Sequence, residues 1–232
     1  MMRRTHAPLL RDTAMPRRPS TKALLIDVGE RLFGRYGFDG ISLREIAMAA
    51  GQGNTRAVQY HFGDRSGLVA AILKDRYARV ETRRAERIAA LSNAELNDPR
   101  ELLKVLWLPG MSIKGADGSH TYCHFLMQYM LRRDIAEHPV VRAHRRAQKP
   151  DGKTAGDPPS LMRGNQLLQG HYGHLSLTTI ERRVRAQSVM FLSSVVEYDN
   201  VRLNNDGAPA EFDIEPILDM AIGALSAPGR DG

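Results

Sequence analysis

Residues 43–68 read LREIAMAAGQGNTRAVQYHFGDRSGL and carry the signals of two short helices joined by a glycine-containing turn. Ser42 and Glu45 have the S-x-x-E spacing of a capping box, so the first of these helices is predicted to begin at Ser42. Gly51 and Gly53 flank the turn, where glycine tolerates the backbone conformations that a tight turn needs. Two short helices connected in this way are the sequence form of a helix-turn-helix.

The second short helix, TRAVQYHF, combines an apolar inner side with a polar outer side. Ala57, Val58 and Phe62 can face the core. Asn54 is expected to cap this helix and Gly63 to end it. In a helix-turn-helix the second helix enters the major groove, where Arg can bond guanine and Asn or Gln can bond adenine, while Tyr, His and Thr suit phosphates. The outward set is Asn54, Thr55, Arg56, Gln59, Tyr60 and His61.

A longer helix is predicted on each side of this unit. Thr21 is a plausible N-cap of the upstream helix, and Gly37 stands where a C-terminal glycine would end it. Asp64 is expected to cap a long downstream helix that runs from about Arg65 to Leu91.

The remainder of the chain is also predicted to be helical. Strand signals are weak, because no two-residue alternation of apolar and polar residues persists. Residues 149–160 are rich in Pro and Gly and are predicted to form a loop. Apolar residues recur at helical spacing near residues 101–108, 121–132, 161–170, 178–203 and 214–226.

These patterns predict an all-α fold with an N-terminal three-helix bundle, joined by the long helix to a larger C-terminal helical part. The predicted division is a disordered basic arm over residues 1–19, a helix-turn-helix domain over 20–66 and a helical domain over 67–228.

The composition narrows the class of protein. With 232 residues, 42% of them hydrophobic, the chain is long enough for one or two folded domains. The single cysteine, Cys123, excludes an internal disulfide and a multi-cysteine zinc site, and it fits a reducing compartment. No apolar run approaches the roughly 18 residues that span a bilayer, so a soluble, cytoplasmic protein with no membrane partner is expected.

The charge is concentrated at one end. Residues 1–70 hold 11 Lys or Arg and 6 Asp or Glu, a net charge of +5, whereas the other 162 residues have a net charge of only +2. A basic N-terminal third suggests a polyanion partner such as double-stranded DNA. On charge alone, the alternative is a solubilising tail, because several of the arginines lie in a Pro-containing segment without periodicity.

Residues 23–73 resemble the DNA-binding domain of the TetR family of transcriptional regulators. The resemblance rests on FGRYGFDGISLREIA at residues 33–47, the glycine turn at Gly51 and AVQYHFGDRSGL at residues 57–68. It implies a homodimeric repressor or activator whose all-helical C-terminal domain serves dimerisation and binds a small molecule. By position, the family's DNA contacts fall on Arg44, Thr55, Arg56, Gln59, Tyr60, His61 and Arg65.

Two positions depart from the family pattern. The family often has Tyr where this chain has Gln59 and usually has Lys where it has Arg65. Because Gln59 lacks the aromatic ring of the family's Tyr, contacts with the DNA phosphate backbone could shift to Tyr60 and His61. Arg65 keeps the positive charge of the family's Lys. Ser42 is a further candidate, because N–H groups at a helix N-terminus bind phosphate.

Two regions of the C-terminal part have expected roles. The amphipathic segments near 178–203 and 214–226 are expected to form a four-helix interface between two copies of the chain, which is where the family places its dimer contact. The alternative is that both segments pack inside one monomer. For the ligand, an unknown small molecule, the candidates are bulky residues that could equally be ordinary core: Trp107, Met111, Tyr122, Phe125 and Tyr129.

Metal, cofactor and enzyme signals are weak, and none is expected. Cys123 beside His124, and His171 with His174, lack a repeated ligand pattern. The GKT at residues 152–154 has Ala147 where a phosphate-binding loop needs glycine. Catalytic residues are therefore not assigned.

Two rival functions stay open. One is a helical small-molecule-binding protein or enzyme with an incidental basic N-terminal end, which the helix-turn-helix argues against. The other is an architectural DNA-binding protein, which would not need so large a C-terminal part.

Overall fold

The structure, a computed structural model, describes residues 19–132, 160–204 and 211–228. Within these ranges the chain forms nine α-helices and one 3-10 helix and contains no β-strand, so the predicted all-α class is confirmed. The 3-10 helix spans Glu95–Asn97. The α-helices are α1 (Thr21–Tyr36), α2 (Leu43–Ala49), α3 (Ala57–Phe62), α4 (Arg65–Ala90), α5 (Pro99–Met111), α6 (Thr121–Leu131), α7 (Ser160–His171), α8 (Leu177–Asn204) and α9 (Glu215–Ser226).

The ends of the first and fourth helices follow local capping chemistry. Ser20 is the N-cap of α1, because its side chain accepts a first-turn N–H bond at 3.2 Å; the prediction of Thr21 was one residue late. α1 ends before Gly37, whose φ of 73° lies in the left-handed region that favours glycine. Asp64 caps α4 as predicted, accepting a first-turn N–H bond at 2.8 Å.

The two short helices begin differently from each other. At α2 the predicted capping box is confirmed: Ser42 accepts from the Glu45 N–H, and the Glu45 carboxylate accepts from the Ser42 N–H at 2.8 Å. At α3 the prediction of Asn54 as N-cap was wrong. Its Oδ1 accepts from the Arg56 N–H at 2.9 Å, which closes an Asx turn, and the helix begins only at Ala57.

The first hydrophobic core contains residues of α1, α2, α3, α4 and α6. The ring centroids of Phe33 and Phe38 are 5.0 Å apart, and those of Phe38 and Phe125 are 5.8 Å apart. Gly34 permits the close approach of α6, since a Cβ at this position would lie 2.9 Å from the Cβ of His124. The core under the helix-turn-helix therefore includes α6, which comes from far along the chain.

The second core is built by α5 to α9. The rings of Trp107 and Phe191 stack with centroids 5.1 Å apart. α6 contributes to this core as well, through the buried Cys123. The other large buried members are Leu102, Leu103, Leu106, Leu168, Tyr172, Leu175, Ile180, Leu192, Val195, Ile217, Leu218 and Leu225.

The predicted domain boundary between residues 66 and 67 falls inside α4, which runs without interruption from the first core toward the second. The domain limits stay a prediction. The basic arm, apart from its last residue, and the loop predicted at residues 149–160, apart from Ser160, lie outside the described residues. Among the helices described, none is both long and apolar enough to cross a bilayer.

Candidate DNA-binding surface and ligand cavity

The α2–turn–α3 unit holds α3 against the first core. Ile46 and Ala47 of α2 and Val58 of α3 are all buried there. In the turn, Gly51 has a φ of 70°, and the next residue, Gln52, donates its N–H to the carbonyl of Ala47 at 3.0 Å. This hydrogen bond and the shared core fix the angle between the two helices, as a helix-turn-helix requires.

The outer side of this unit presents free polar groups. Arg44 and Arg56 are exposed, and neither side chain has a hydrogen bond or ion pair with any residue the structure describes. Gln59 is exposed, and Tyr60 is 83% exposed although it is a large ring. Such groups can accept new partners without breaking old ones, which suits a surface that binds a second molecule.

The remaining candidates of the outer face are less open. The His61 ring is half-buried and packs edge-on against Tyr60, with centroids 5.0 Å apart. Thr55 is half-buried too, and Asn54 is exposed with its Oδ1 engaged in the Asx turn. The expected inward position of Phe62 agrees with its partial burial against the first core.

Two further candidates already have partners within the protein. The Ser42 N–H and Oγ both donate to the Glu45 carboxylate, at 2.8 and 2.6 Å, so neither is open to phosphate. These bonds also lower the pKa of Glu45 and keep a negative charge beside the start of α2. Arg65 pairs with Asp39 at 3.2 Å and donates to the carbonyl of Ile41 at 3.1 Å, which anchors the loop between α1 and α2.

One cation near α3 was missed by the sequence interpretation. Lys22, in the first turn of α1, lies with its Nζ 5.9 Å from the centroid of the Phe62 ring, at the end of α3. Only the tertiary packing of α1 beside α3 brings it there, so no local pattern could have indicated it.

A cavity of about 260 Å³ lies among α4, α5, α6, α7 and α8. Its lining is mainly apolar, with a few polar groups, which is typical of sites for small organic molecules. The lining residues are Val80, Arg84, Leu106, Trp107, Gly110, Tyr122, Cys123, Leu126, Met130, Leu161, Asn165, Val184, Ser188, Phe191 and Leu192.

The polar groups of the cavity wall are held in place by the protein. The Trp107 Nε1 donates to the Ser188 Oγ at 3.1 Å. The Arg84 Nε and Nη2 donate to the carbonyl of Leu106, at 3.3 and 3.0 Å. Burial lowers the pKa of Arg84, yet a guanidinium stays charged at neutral pH. The Oδ1 of Asn165 is buried and has no hydrogen-bond partner among the described residues.

Two other groups of the wall are neutral at neutral pH. Burial raises the pKa of the Tyr122 phenol and of the Cys123 thiol, because both lie in surroundings that disfavour a charge. Arg84 is therefore the only charged side chain among the described residues that line the cavity.

Two of the five ligand candidates, Trp107 and Tyr122, line the cavity. Phe125 does not: it is fully buried in the first core, stacked on the rings of Tyr122 and Tyr129 at 6.3 and 6.5 Å. Tyr129 packs against the first core and Met111 against the second, and neither lines the cavity.

Arg84 was missed because an arginine among many on a charged helix resembles a solvent-exposed residue. Its spacing from the apolar Val80, four residues earlier, was the one signal that both share a helix face.

Of the residues considered for a metal, His124 is held by a buried carboxylate, which also holds His120. His120 Nδ1 and His124 Nε2 each lie 2.9 Å from a carboxylate oxygen of the fully buried Asp199. Burial by itself would raise the pKa of Asp199, but these hydrogen bonds hold it well below its ordinary value. His171 and His174 are exposed at the end of α7. In the described ranges no group of three His, Cys, Asp or Glu side chains is placed to hold a metal ion.

A buried ion pair connects the helix-turn-helix bundle to the cavity helices. Arg76 of α4 lies 2.6 Å from Glu30 of α1, and the two residues are only 3% and 1% exposed. Thr121, the first residue of α6, donates its hydroxyl to the other carboxylate oxygen of Glu30 at 2.6 Å. Burial raises the pKa of Glu30, and the charge of Arg76 opposes this shift.

The two helices expected at a dimer interface each bury one face and expose another. Ile180 and Leu218 represent the faces that pack in the second core. On the exposed face of α9, Met220 is 53% exposed, and a Cβ at Gly223 would meet nothing within 4 Å. Ala186 and Ser193 lie on the exposed side of α8. Packing inside one monomer therefore accounts for only one face of each helix.

Comparison with known proteins agrees with the helix-turn-helix geometry. Residues 25–72 match the model of the bacterial regulatory proteins, tetR family. No curated protein matches the chain. Among solved structures, the chain is similar to two crystal structures of the multidrug binding protein EbrR. One is of its complex with ethidium and the other of its complex with imidazole. In both comparisons the sequence identity is 21% and the TM-score is 0.44. The alignment with the ethidium complex covers 90% of this chain and that with the imidazole complex covers 92%, and each covers 99% of the EbrR chain.

The matched residues contain most of α1, all of α2 and α3, and the beginning of α4. Residues 25–72 of this chain are therefore similar to the DNA-binding domain of TetR-family transcriptional regulators.

Proposed function

We propose that the protein is a homodimeric transcriptional repressor that binds a palindromic operator and releases it when a small molecule fills the cavity. The observation that carries the proposal is the outer face of α3, where Arg56, Gln59 and Tyr60 are exposed above a firmly packed inner side. A dimer that covers its operator excludes other proteins from that DNA, which is why the assigned role is repression.

Within the DNA surface, the roles follow from chemistry and from which groups are free. Arg56 and Gln59 are assigned to base edges, because a guanidinium matches guanine and an amide matches adenine. Arg44, Tyr60, His61 and the half-buried Thr55 are assigned to phosphates. Asn54, Ser42 and Arg65 are assigned indirect roles, because their side chains shape the turn, the start of α2 and the loop before it.

The dimer is assigned to the exposed faces of α8 and α9. Gly223 and Ala224 are exposed on α9 and have little or no side chain, so α9 of a second copy can approach closely there. A two-fold axis through such a contact pairs each face with itself, as in most homodimers. Two copies of α3 would then meet successive major grooves about one helical turn apart, or somewhat more if the DNA bends.

Control by the ligand is assigned to α4. Only Gly63 and Asp64 separate this helix from α3, and it reaches the cavity with Val80 and Arg84. The ion pair of Arg76 with Glu30 fixes it to α1 on the way. A ligand that shifts α4 would therefore change the spacing of the two α3 helices, and DNA would weaken ligand binding by the same factor.

The test is selection of binding sites by the full chain from a pool of random duplexes, followed by titration with salt. The expected product is an inverted repeat whose half-sites lie about one helical turn apart, bound with an affinity that falls steeply as salt rises. Recovery of no preferred sequence, with binding that does not respond to salt, would show that α3 does not read DNA.

A further inference from the structure

The ligand class follows from the charges around the cavity, and this inference rests on the proposed function of that cavity as the ligand site. Arg84 is the only charged side chain among the described residues of its wall. The nearest acidic partner of Arg84 is Glu81, whose Oε2 lies 3.5 Å from the Arg84 Nη1. Glu81 is not part of the wall, and its other oxygen accepts the N–H groups of Ser160 and Leu161 at the start of α7.

The guanidinium of Arg84 has donors to spare. Its two hydrogen bonds to the carbonyl of Leu106 use two of the five N–H groups that a guanidinium carries, and the Nη1 contact with Glu81 at 3.5 Å is an ion pair without a hydrogen bond. A planar group with two N–H groups on one edge matches a carboxylate, which can accept both. A cation placed in the same cavity would meet this positive charge at close range in a poorly solvated site.

Another part of the wall fits flat apolar groups. Trp107 and Phe191 form a stacked aromatic surface, and both line the cavity. A dry apolar cavity of about 150 Å³ holds one benzene ring. The volume of about 260 Å³ therefore suits a ligand of one or two rings.

We propose that the cavity binds a small aromatic carboxylate of one or two rings, whose carboxylate is held by Arg84 and whose rings pack against Trp107. The class follows from the single guanidinium among the described residues of the wall, all the others of which are neutral. Neutral ligands of the same shape bind more weakly, and lipophilic cations bind most weakly.

The experiment uses three probes that share one ring system: naphthylacetate, naphthylacetamide and naphthylethylamine, titrated into the full-length protein by calorimetry. We expect the carboxylate to bind roughly tenfold or more tightly than the amide, because a charge-assisted pair replaces a neutral hydrogen bond. The amine should bind most weakly of the three. Tightest binding of the amine would overturn the ligand class while leaving the cavity as a ligand site.

Two variants test whether Arg84 is the source of the preference for carboxylate over amide. Arg84→Met keeps the length of the side chain and removes the charge, so it should abolish the preference for carboxylate over amide. Arg83→Met is the matched control, because it removes the same charge from an exposed neighbour on α4 that does not line the cavity. A carboxylate preference that survives in Arg84→Met would show that another group provides it.

A third variant, Arg84→Lys, keeps the experiment decisive if Arg84→Met does not fold. Arg84→Lys keeps the charge without the two-pronged edge, and it should retain the carboxylate preference in reduced form. If none of the three probes binds the native protein at millimolar concentration, the cavity is not a ligand site. That result would remove the ligand from the proposed function and leave its DNA-binding part to the site selection.

Discussion

Replacement of Arg76 by Met should destabilise the protein through the charge it leaves behind. In the native protein Arg76 lies 2.6 Å from Glu30, and almost no water reaches either residue. The other two acidic partners of Arg76, Asp27 and Asp75, are more exposed, so water can solvate their charges once Arg76 is removed. Removal of one partner of a buried ion pair costs about 3–5 kcal/mol, because the remaining charge has no compensation. A loss of this size is a large part of the stability of an ordinary domain.

The same change predicts a dependence on pH with a defined sign. Without Arg76, the pKa of Glu30 in the folded protein rises further above its ordinary value of 4.5, because burial then acts almost alone. When the pKa of a carboxyl is higher in the folded protein than in the unfolded protein, folding is most favourable with that carboxyl protonated. The free energy of unfolding therefore falls as pH rises from the pKa in the unfolded state toward the pKa in the folded state. The cost of Arg76→Met should therefore be larger at about pH 7 than at about pH 5.

The measurement is urea unfolding followed by circular dichroism, on Arg76→Met, Glu30→Gln and the double variant. The double variant should recover most of the stability lost in Arg76→Met, since the amide that replaces the Glu30 carboxylate carries no charge and still offers an oxygen to Thr121. The reasoning is refuted if the single variant costs less than about 1 kcal/mol, or if the two single losses simply add in the double variant.

Three other substitutions test separate parts of the structure. Arg56→Ala should cost about 1–3 kcal/mol on the selected operator and much less on a scrambled duplex; equal losses would make Arg56 a phosphate contact. Ser42→Ala should lower the free energy of unfolding by about 0.5–2 kcal/mol through loss of the α2 cap, which urea unfolding measures. Gly223→Arg should yield a folded monomer in sedimentation, because the added side chain has free space in the protomer; a dimer would place the interface elsewhere.

The sequence predicted the parts of the fold that local chemistry controls. The capping box at Ser42, the end of α1 at Gly37 and the cap at Asp64 each depend on a few neighbouring residues, and all three are found. Asn54 shows the limit of this reasoning. An Asn before a helix can cap it or close an Asx turn, and the two uses cannot be told apart by sequence spacing.

The site was harder to predict, because its residues acquire their roles from distant partners. Arg65 has the charge of a phosphate contact, yet Asp39 and Ile41 occupy it, and this depends on how α1 enters the bundle. Tyr122 and Phe125 lie three residues apart on one helix, but only Tyr122 reaches the cavity. Periodicity identifies a buried face and does not distinguish which of two cores that face enters.

The position of α6 restricts how the cavity of this protein could be reshaped during evolution. Tyr122 and Phe125 pack under the helix-turn-helix, and Cys123 between them lines the cavity, so a substitution on α6 that reshapes the cavity also disturbs the support of the DNA-binding surface. α7 and α8 line the same cavity without contributing a buried residue to that support. Changes in the proposed ligand preference are therefore most accessible through positions such as Asn165 and Ser188, where a substitution alters the cavity wall without altering the support of the proposed DNA-binding surface.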